Sequence, residues 1–203
     1  MSFPSRLVSL TGGVAALLFV LSVVGFGLAL HDYSQAVHPV TWLGAHGIPR
    51  ALGFNLIGLV LPGVLAAGVA EGLRRRLPAT AGWAARIGCQ MLLLAGLAFA
   101  AMGLLPLHID DLADMQGPDS QLHVAAWMVW ALAFVTGTVL LAVTRLRDRA
   151  ARPLAGLALG CGLLAALAAF GLQGVLPAAL AQRLAFACWV VWLALALPLA
   201  ARR

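Results

Sequence analysis

The chain has 203 residues, 63% of them hydrophobic and only 10% charged, with a formal charge of +6. Soluble domains run at about 45–50% apolar and about 25% charged, so a water-soluble core is excluded and the solvent must be lipid. The positive balance does not point to nucleic acid, because no basic stripe lies on a polar fold and the arginines fall where membrane topology wants them.

About 20 apolar residues carry a helix across the hydrocarbon. Six stretches qualify: 7–30, 51–70, 87–107, 122–143, 153–175 and 178–200. The first is long for the apolar core of a signal peptide and no small-x-small cleavage pattern follows it, so it is read as an uncut helix. The linker after it, 31–50, opens on His31 and Asp32 and carries His38, His46 and Arg50. The second span holds Asn55 about one turn in and Pro62 further on, a position where a kink is expected. Arg74, Arg75, Arg76 and Arg86 follow.

The third span leaves through Leu105-Pro106-Leu107-His108, which repeats the His-then-Asp exit of the first. The linker 108–121 carries Asp110, Asp111, Asp114 and Asp119. Asp119 or Ser120 is suited to cap the fourth span, which begins with His123 and has Trp127 and Trp130 on one face. Arg145, Arg147, Arg149 and Arg152 then lead to Pro153, which suits a first helical turn. Gly156 and Gly160, continued by Ala165, Ala168 and Ala169, form a small-residue stripe of the kind that lets helices pack closely in lipid. Its expected use is packing inside the bundle, with a homo-oligomer as the alternative. A tight turn near Gly174 leads to the last span, where Gln182 and Arg183 lie about one turn in and Trp189 and Trp192 share a face. Cys89, Cys161 and Cys188 all lie in apolar stretches with no CxxC spacing, and are read as small buried hydrophobes.

The linkers alternate in chemistry. Eleven of the thirteen arginines fall on one side of the spans; the other side has only Arg50 and Arg183, with all five histidines and five of the seven acids. The positive-inside rule then places both termini in the cytoplasm and residues 31–50 and 108–121 outside a plasma (inner) membrane. The expected fold is all-α, a single bundle of six transmembrane helices.

That sorting concentrates candidate chemistry at the outer end. If the third helix continues past the interface, His108 and Asp111 share a face, as do Asp111 and Asp114. His31, His108, His123 and Asp111 are candidate ligands for a divalent metal such as zinc, with Asp110, Asp111 or Asp114 as a further ligand or general base. Haem ligation by two histidines is a weaker fit, because His108 and His123 sit close to the interface. Arg50 and Arg183, the only arginines on the acidic side, are expected to pair with aspartates or else to grip the phosphate or carboxylate of an amphiphile. Asn55, Gln182, Trp127 and Trp130 are the neighbouring ligand-binding candidates.

The segment 33–65, YSQAVHPVTWLGAHGIPRALGFNLIGLVLPGVL, resembles the opening of the DUF998 family of bacterial and archaeal membrane proteins. The resemblance lies in Ser34 in an outer loop, Leu43-Gly44-Ala45, the Pro49-Arg50 turn and Asn55. It extends to Leu105-Pro106 before an acidic loop, to Leu122-His123, and to Gln182-Arg183 after a Gly-rich helix end. It implies a six-helix membrane fold, draws attention to Arg50, Asn55, His123 and Arg183, and implies no activity.

Three functions remain. One is a protein that binds, and in one version moves, a lipid or other amphiphile at its outer mouth. Another is a metal-dependent hydrolase acting on a lipid in the outer leaflet. The third is an accessory subunit of a larger membrane complex. The helix centres carry no charges, which argues against an ion-coupled carrier.

Overall fold

The computed structural model describes residues 5–109, 117–172 and 174–201. The described chain is helical, with no sheet. Six helices have the length and apolarity to cross a membrane: α1 (Ser5–Ala29), α2 (Ala51–Arg75), α3 (Trp83–Leu104), α4 (Pro118–Arg145), α5 (Arg152–Gly171) and α6 (Ala178–Ala200). Each packs on its neighbour in the chain and α1 closes against α6, so the bundle is a ring of antiparallel helices. Helix α6 also touches α2 across the ring.

Phe19 of α1, Phe99 of α3, Trp130 and Phe134 of α4, and Phe186 and Trp189 of α6 meet in one buried aromatic cluster. Most contacts in it are edge-to-face or tilted, the geometry that the ring quadrupoles favour. Large apolar side chains such as Leu17, Leu52, Val64, Leu132 and Leu163 face outward, as expected of a bundle whose solvent is hydrocarbon.

Close helix approach is made by glycines other than those of the GxxxG stripe. A Cβ on Gly63 would meet the backbone of Gly96 and Ala100, and one on Gly96 would meet that of Gly63 and Ala67, so α2 and α3 touch backbone to backbone. Gly88 and Gly137 do the same for α3 and α4. A Cβ on Gly156 or Gly160 would meet nothing, whereas Ala165, Ala168 and Ala169 are buried. The expected stripe is therefore split: its glycines face away from the bundle and only its alanines pack inside.

Several helix ends differ from the expected bounds. Helix α3 stops at Leu104 rather than 107, because the residue before Pro106 is driven out of the α region, and Leu105 is no longer helical (φ −120°, ψ 76°). His108 is consequently off this helix; Asp111, with which it was expected to share a face, lies outside the described residues. Helix α4 starts at Pro118 behind Gly117 with no side-chain cap, so neither Asp119 nor Ser120 caps it. Ser120 instead accepts the His108 backbone N–H at 3.0 Å. Helix α2 runs to Arg75, its last turn held by Glu71, which accepts from Arg74 (2.6 Å) and Arg75 (2.7 Å). Within α2 a π segment, Asn55–Val60, ends two residues before Pro62; its wider turn relieves the clash a proline ring makes with the preceding turn. A second π segment, Leu167–Gly171, ends α5.

The two ends of the bundle are chemically distinct. At the arginine-rich end, Arg86 donates to the carbonyls of Ala79 and Ala81, and Arg76 donates to Leu197 O of α6. At the opposite end the linker 31–50 folds back over the helices. It carries a short 3-10 turn, Val40–Gly44, whose Val40 and Leu43 are buried. The three cysteines are free and buried.

Candidate functional site

The linker 31–50 closes the histidine end rather than lining an open mouth. Three side chains from below fasten it. Asn55 donates to Gly44 O at 2.9 Å, Gln182 Oε1 accepts the Val40 N–H at 2.7 Å, and Arg183 donates to His38 O at 2.8 Å. Arg183 also donates to Ala179 O (3.1 Å), Tyr33 Oη (2.7 Å) and Gln35 Oε1 (2.9 Å). The two terminal nitrogens of the guanidinium thus hold four acceptors, and all four are neutral. The expected ion pairs of Arg183 and Arg50 with aspartates do not form among the described residues.

Gln35 extends this network into α1. Its amide donates to Val23 O at 3.0 Å, and it lies where a Cβ on residue 27 would stand, so Gly27 is what admits it. Tyr33 donates onward to Pro39 O at 3.2 Å. Burial raises the Tyr33 hydroxyl above its ordinary pKa, and the adjacent Arg183 charge offsets part of that rise. Tyr33 and Gln35 were not among the sequence candidates; the signal that marks Tyr33 is that it is the chain's one tyrosine.

Each arginine of this end heads an apolar groove beside α1. Between α1 and α6 a groove of about 470 Å³ is lined by apolar side chains, among them Phe19, Val23, Phe186 and Val190, with Gln35 and Arg183 as its polar members. Between α1 and α2 a second groove of about 460 Å³ includes Leu18, Leu21, Phe26 and Ile57 with Arg50 and Ser22. Arg50 is the one non-glycine residue with positive φ among the described residues (65°). Its guanidinium has no hydrogen-bond partner among them.

The histidines are dispersed. His31 is 99% exposed at the side chain and lies 3.2 Å from Asp32. His38 accepts the Ser34 N–H at 3.0 Å and stacks on Trp42 with centroids 4.7 Å apart. His46 stacks on His108, also at 4.7 Å, and its N–H donates to Leu107 O at 2.7 Å, which joins the two linkers. His108 lies 3.9 Å from Asp119. His123 is 4% exposed, with Nδ1 2.7 Å from Leu105 O. Among the described residues no group of three or more His, Cys, Asp or Glu side chains is placed to hold a metal. His31, His108 and His123 do not make up such a group. The candidate acids Asp110, Asp111 and Asp114 lie outside the described residues.

Of the two tryptophan candidates, Trp130 is 0% exposed and belongs to the aromatic core, so it packs rather than lining a groove. Trp127 is only partly buried and lines a smaller cavity of about 150 Å³ with His123, Gln182, Thr41, Leu107 and Val124.

With this architecture in view, comparison with known families gives one result. The family model described as "Protein of unknown function (DUF998)" matches residues 13–197, almost the whole chain. The protein belongs to the DUF998 family, a polytopic all-α membrane protein built as a six-helix bundle. No curated protein and no solved structure matches it.

Proposed function

We propose that this protein binds an anionic amphiphile, such as a membrane lipid, in the groove between α1 and α6, with the head group at Arg183. The single observation that carries this reading is a guanidinium whose acceptors are all neutral, at the top of an otherwise apolar groove. Neutral acceptors fix the guanidinium in place but leave its positive charge uncompensated. An anion about 4 Å away gains about 4 kcal/mol at an effective dielectric constant of about 20. From Arg183 to Val191 the α6 wall of the groove is about 12 Å long at the helical rise, enough for part of an acyl tail. Val20, Val24 and Val191 stay exposed along it, so the groove is open sideways to lipid.

Arg50 and the α1–α2 groove offer a second site of the same chemistry on the other flank of α1. The arginine asymmetry of the linkers supports a reading in which both lie in the extracytoplasmic half of a plasma membrane. A metal-dependent hydrolase would need donors beyond the described set, and metal analysis of the purified protein is its direct test.

Native mass spectrometry of protein released from phosphatidylglycerol nanodiscs tests the binding reading. Ala187→Trp fills the groove one turn beyond Arg183 while leaving Arg183 itself in place, and Arg149→Gln removes a cation from the opposite end. The expected result is a several-fold loss of retained phosphatidylglycerol in Ala187→Trp and no loss in Arg149→Gln. Equal retention by the wild type and Ala187→Trp would overturn the proposal.

A further inference from the structure

The cavity at the start of α4 carries an independent message in its hydrogen-bond inventory. His123 Nδ1 lies 2.7 Å from Leu105 O. A carbonyl oxygen only accepts, so the proton of the ring sits on Nδ1. No carboxylate among the described residues pairs with this imidazole, and an unpaired charge so deeply buried is costly, so the ring is neutral. Nε2 is then a bare lone pair. It is buried without a partner, and so is the indole Nε1 of Trp127. The two residues are four apart on α4 and share a face. Both line the cavity of about 150 Å³.

These atoms want opposite things. Nε2 of His123 needs a donor, and the indole N–H of Trp127 needs an acceptor. Gln182 adds donors, because its Oε1 is taken by the Val40 N–H and its amide hydrogens remain. A carboxylate or phosphate would set its lone pairs against that of Nε2. An ammonium would set its hydrogens against the indole. A hydroxyl carries both complementary roles: an O–H can donate to His123 Nε2 and an oxygen can accept from Trp127 Nε1. The volume is about five times the share of one liquid water, room for more than a single solvent molecule.

We propose that this cavity is a binding site for a hydroxyl group carried by a small polyol, either free or as the alcohol end of a lipid head group. His123 is the acceptor, Trp127 the donor, and Gln182 a second donor to a neighbouring oxygen. The site is separate from the Arg183 groove. Gln182 and Val40's neighbour Thr41 face this cavity, whereas Arg183 and Val40 line the groove.

The test reads the His123 imidazole directly, by 15N spectra of histidine-labelled protein in phosphatidylcholine nanodiscs, with His123→Gln identifying the resonance. Glycerol is titrated in one arm. In a second arm it is replaced by 1,2-dimethoxyethane, which accepts but cannot donate. In a third, phosphatidylglycerol nanodiscs are used without free polyol. A saturable Nε2 shift with glycerol or in phosphatidylglycerol, absent with the diether and weakened at least several-fold in Trp127→Phe, supports the site. Which of those two arms produces the shift names the source of the hydroxyl. Ala187→Trp should leave the shift intact, which separates this result from the fate of the amphiphile groove. No saturable shift in either hydroxyl arm, an equal shift with the diether, or an unchanged response in Trp127→Phe would mean an ordered water only, and would overturn the proposal.

Discussion

The guanidinium of Arg183 donates to the hydroxyl of Tyr33 at 2.7 Å across 150 positions of sequence. This bond joins the start of the last helix to the linker that follows the first. It lies at the centre of a chain running from Val23 O through Gln35 and Arg183 to His38 O. The rim of the α1–α6 groove and the fastening of the linker are thus one structure. Whatever occupies that groove meets the group that holds the linker down.

The sole tyrosine makes this junction observable. Burial raises the Tyr33 hydroxyl above the ordinary value of 10.0, and the Arg183 charge lowers it in part. Ultraviolet titration of tyrosinate should give a midpoint above 10, and Arg183→Gln should move it higher still. For an acid with a raised folded-state pKa, the stabilisation is fully present below the unfolded value. It is lost as pH rises through the folded one. Stability should therefore fall with alkali above about pH 10 in the wild type and less so in Tyr33→Phe. A midpoint at or below 10 would contradict the burial of this hydroxyl.

Arg183→Lys keeps the charge but loses the planar fork that reaches four acceptors. Hydrogen bonds to charged groups contribute about 1.5–3 kcal/mol each, so a loss of roughly 2 kcal/mol or more is expected. It should appear as a lower thermal midpoint in detergent and as faster proteolysis within residues 31–50. Wild-type behaviour of the lysine variant would mean that charge alone fastens the linker.

The six spans were legible because lipid imposes one strong rule, about 20 apolar residues per crossing, and every span obeys it. The failures have local causes. Pro106 ends α3 early and leaves His108 off the helix, which a count of apolar residues does not reveal. Arg183 was expected to find an aspartate, because opposite charges are visible in a sequence. Its actual acceptors include the carbonyls of His38 and Ala179, which residue types do not advertise. Asn55 and Gln182 stand out in the sequence as polar groups at unusual depth, which makes them ligand-binding candidates there. Their hydrogen bonds go to the backbone of Gly44 and Val40, a relationship set by how the linker folds back. The inventory at His123 depends on which ring nitrogen faces Leu105, and only three dimensions supply that.

The glycines give a contrast that tests the packing. Gly63→Ala would drive a Cβ against the backbone of Gly96 and Ala100, so α2 and α3 must separate. Overpacking of this kind costs about 1–3 kcal/mol. Gly156→Ala meets open space and gains helix propensity, so it should be neutral or stabilising by up to about 1 kcal/mol. Thermal unfolding of the two variants in one detergent should rank them on opposite sides of the wild type. The reverse order would place the helix contacts elsewhere.

Sidedness can be read from two engineered cysteines, because Cys89, Cys161 and Cys188 are buried and contribute little labelling of their own. Residue 31 stands fully exposed at the histidine end, and Thr80 is exposed in the turn between α2 and α3 at the arginine end. The positive-inside rule assigns these positions to opposite faces, since Arg74, Arg75, Arg76 and Arg86 flank Thr80. In intact cells a membrane-impermeant maleimide should label His31→Cys and not Thr80→Cys. After permeabilisation it should label both. Labelling of Thr80→Cys in intact cells would invert the bundle, move Arg50 and Arg183 to the cytoplasmic leaflet, and leave the linker arginines without the rule that placed them.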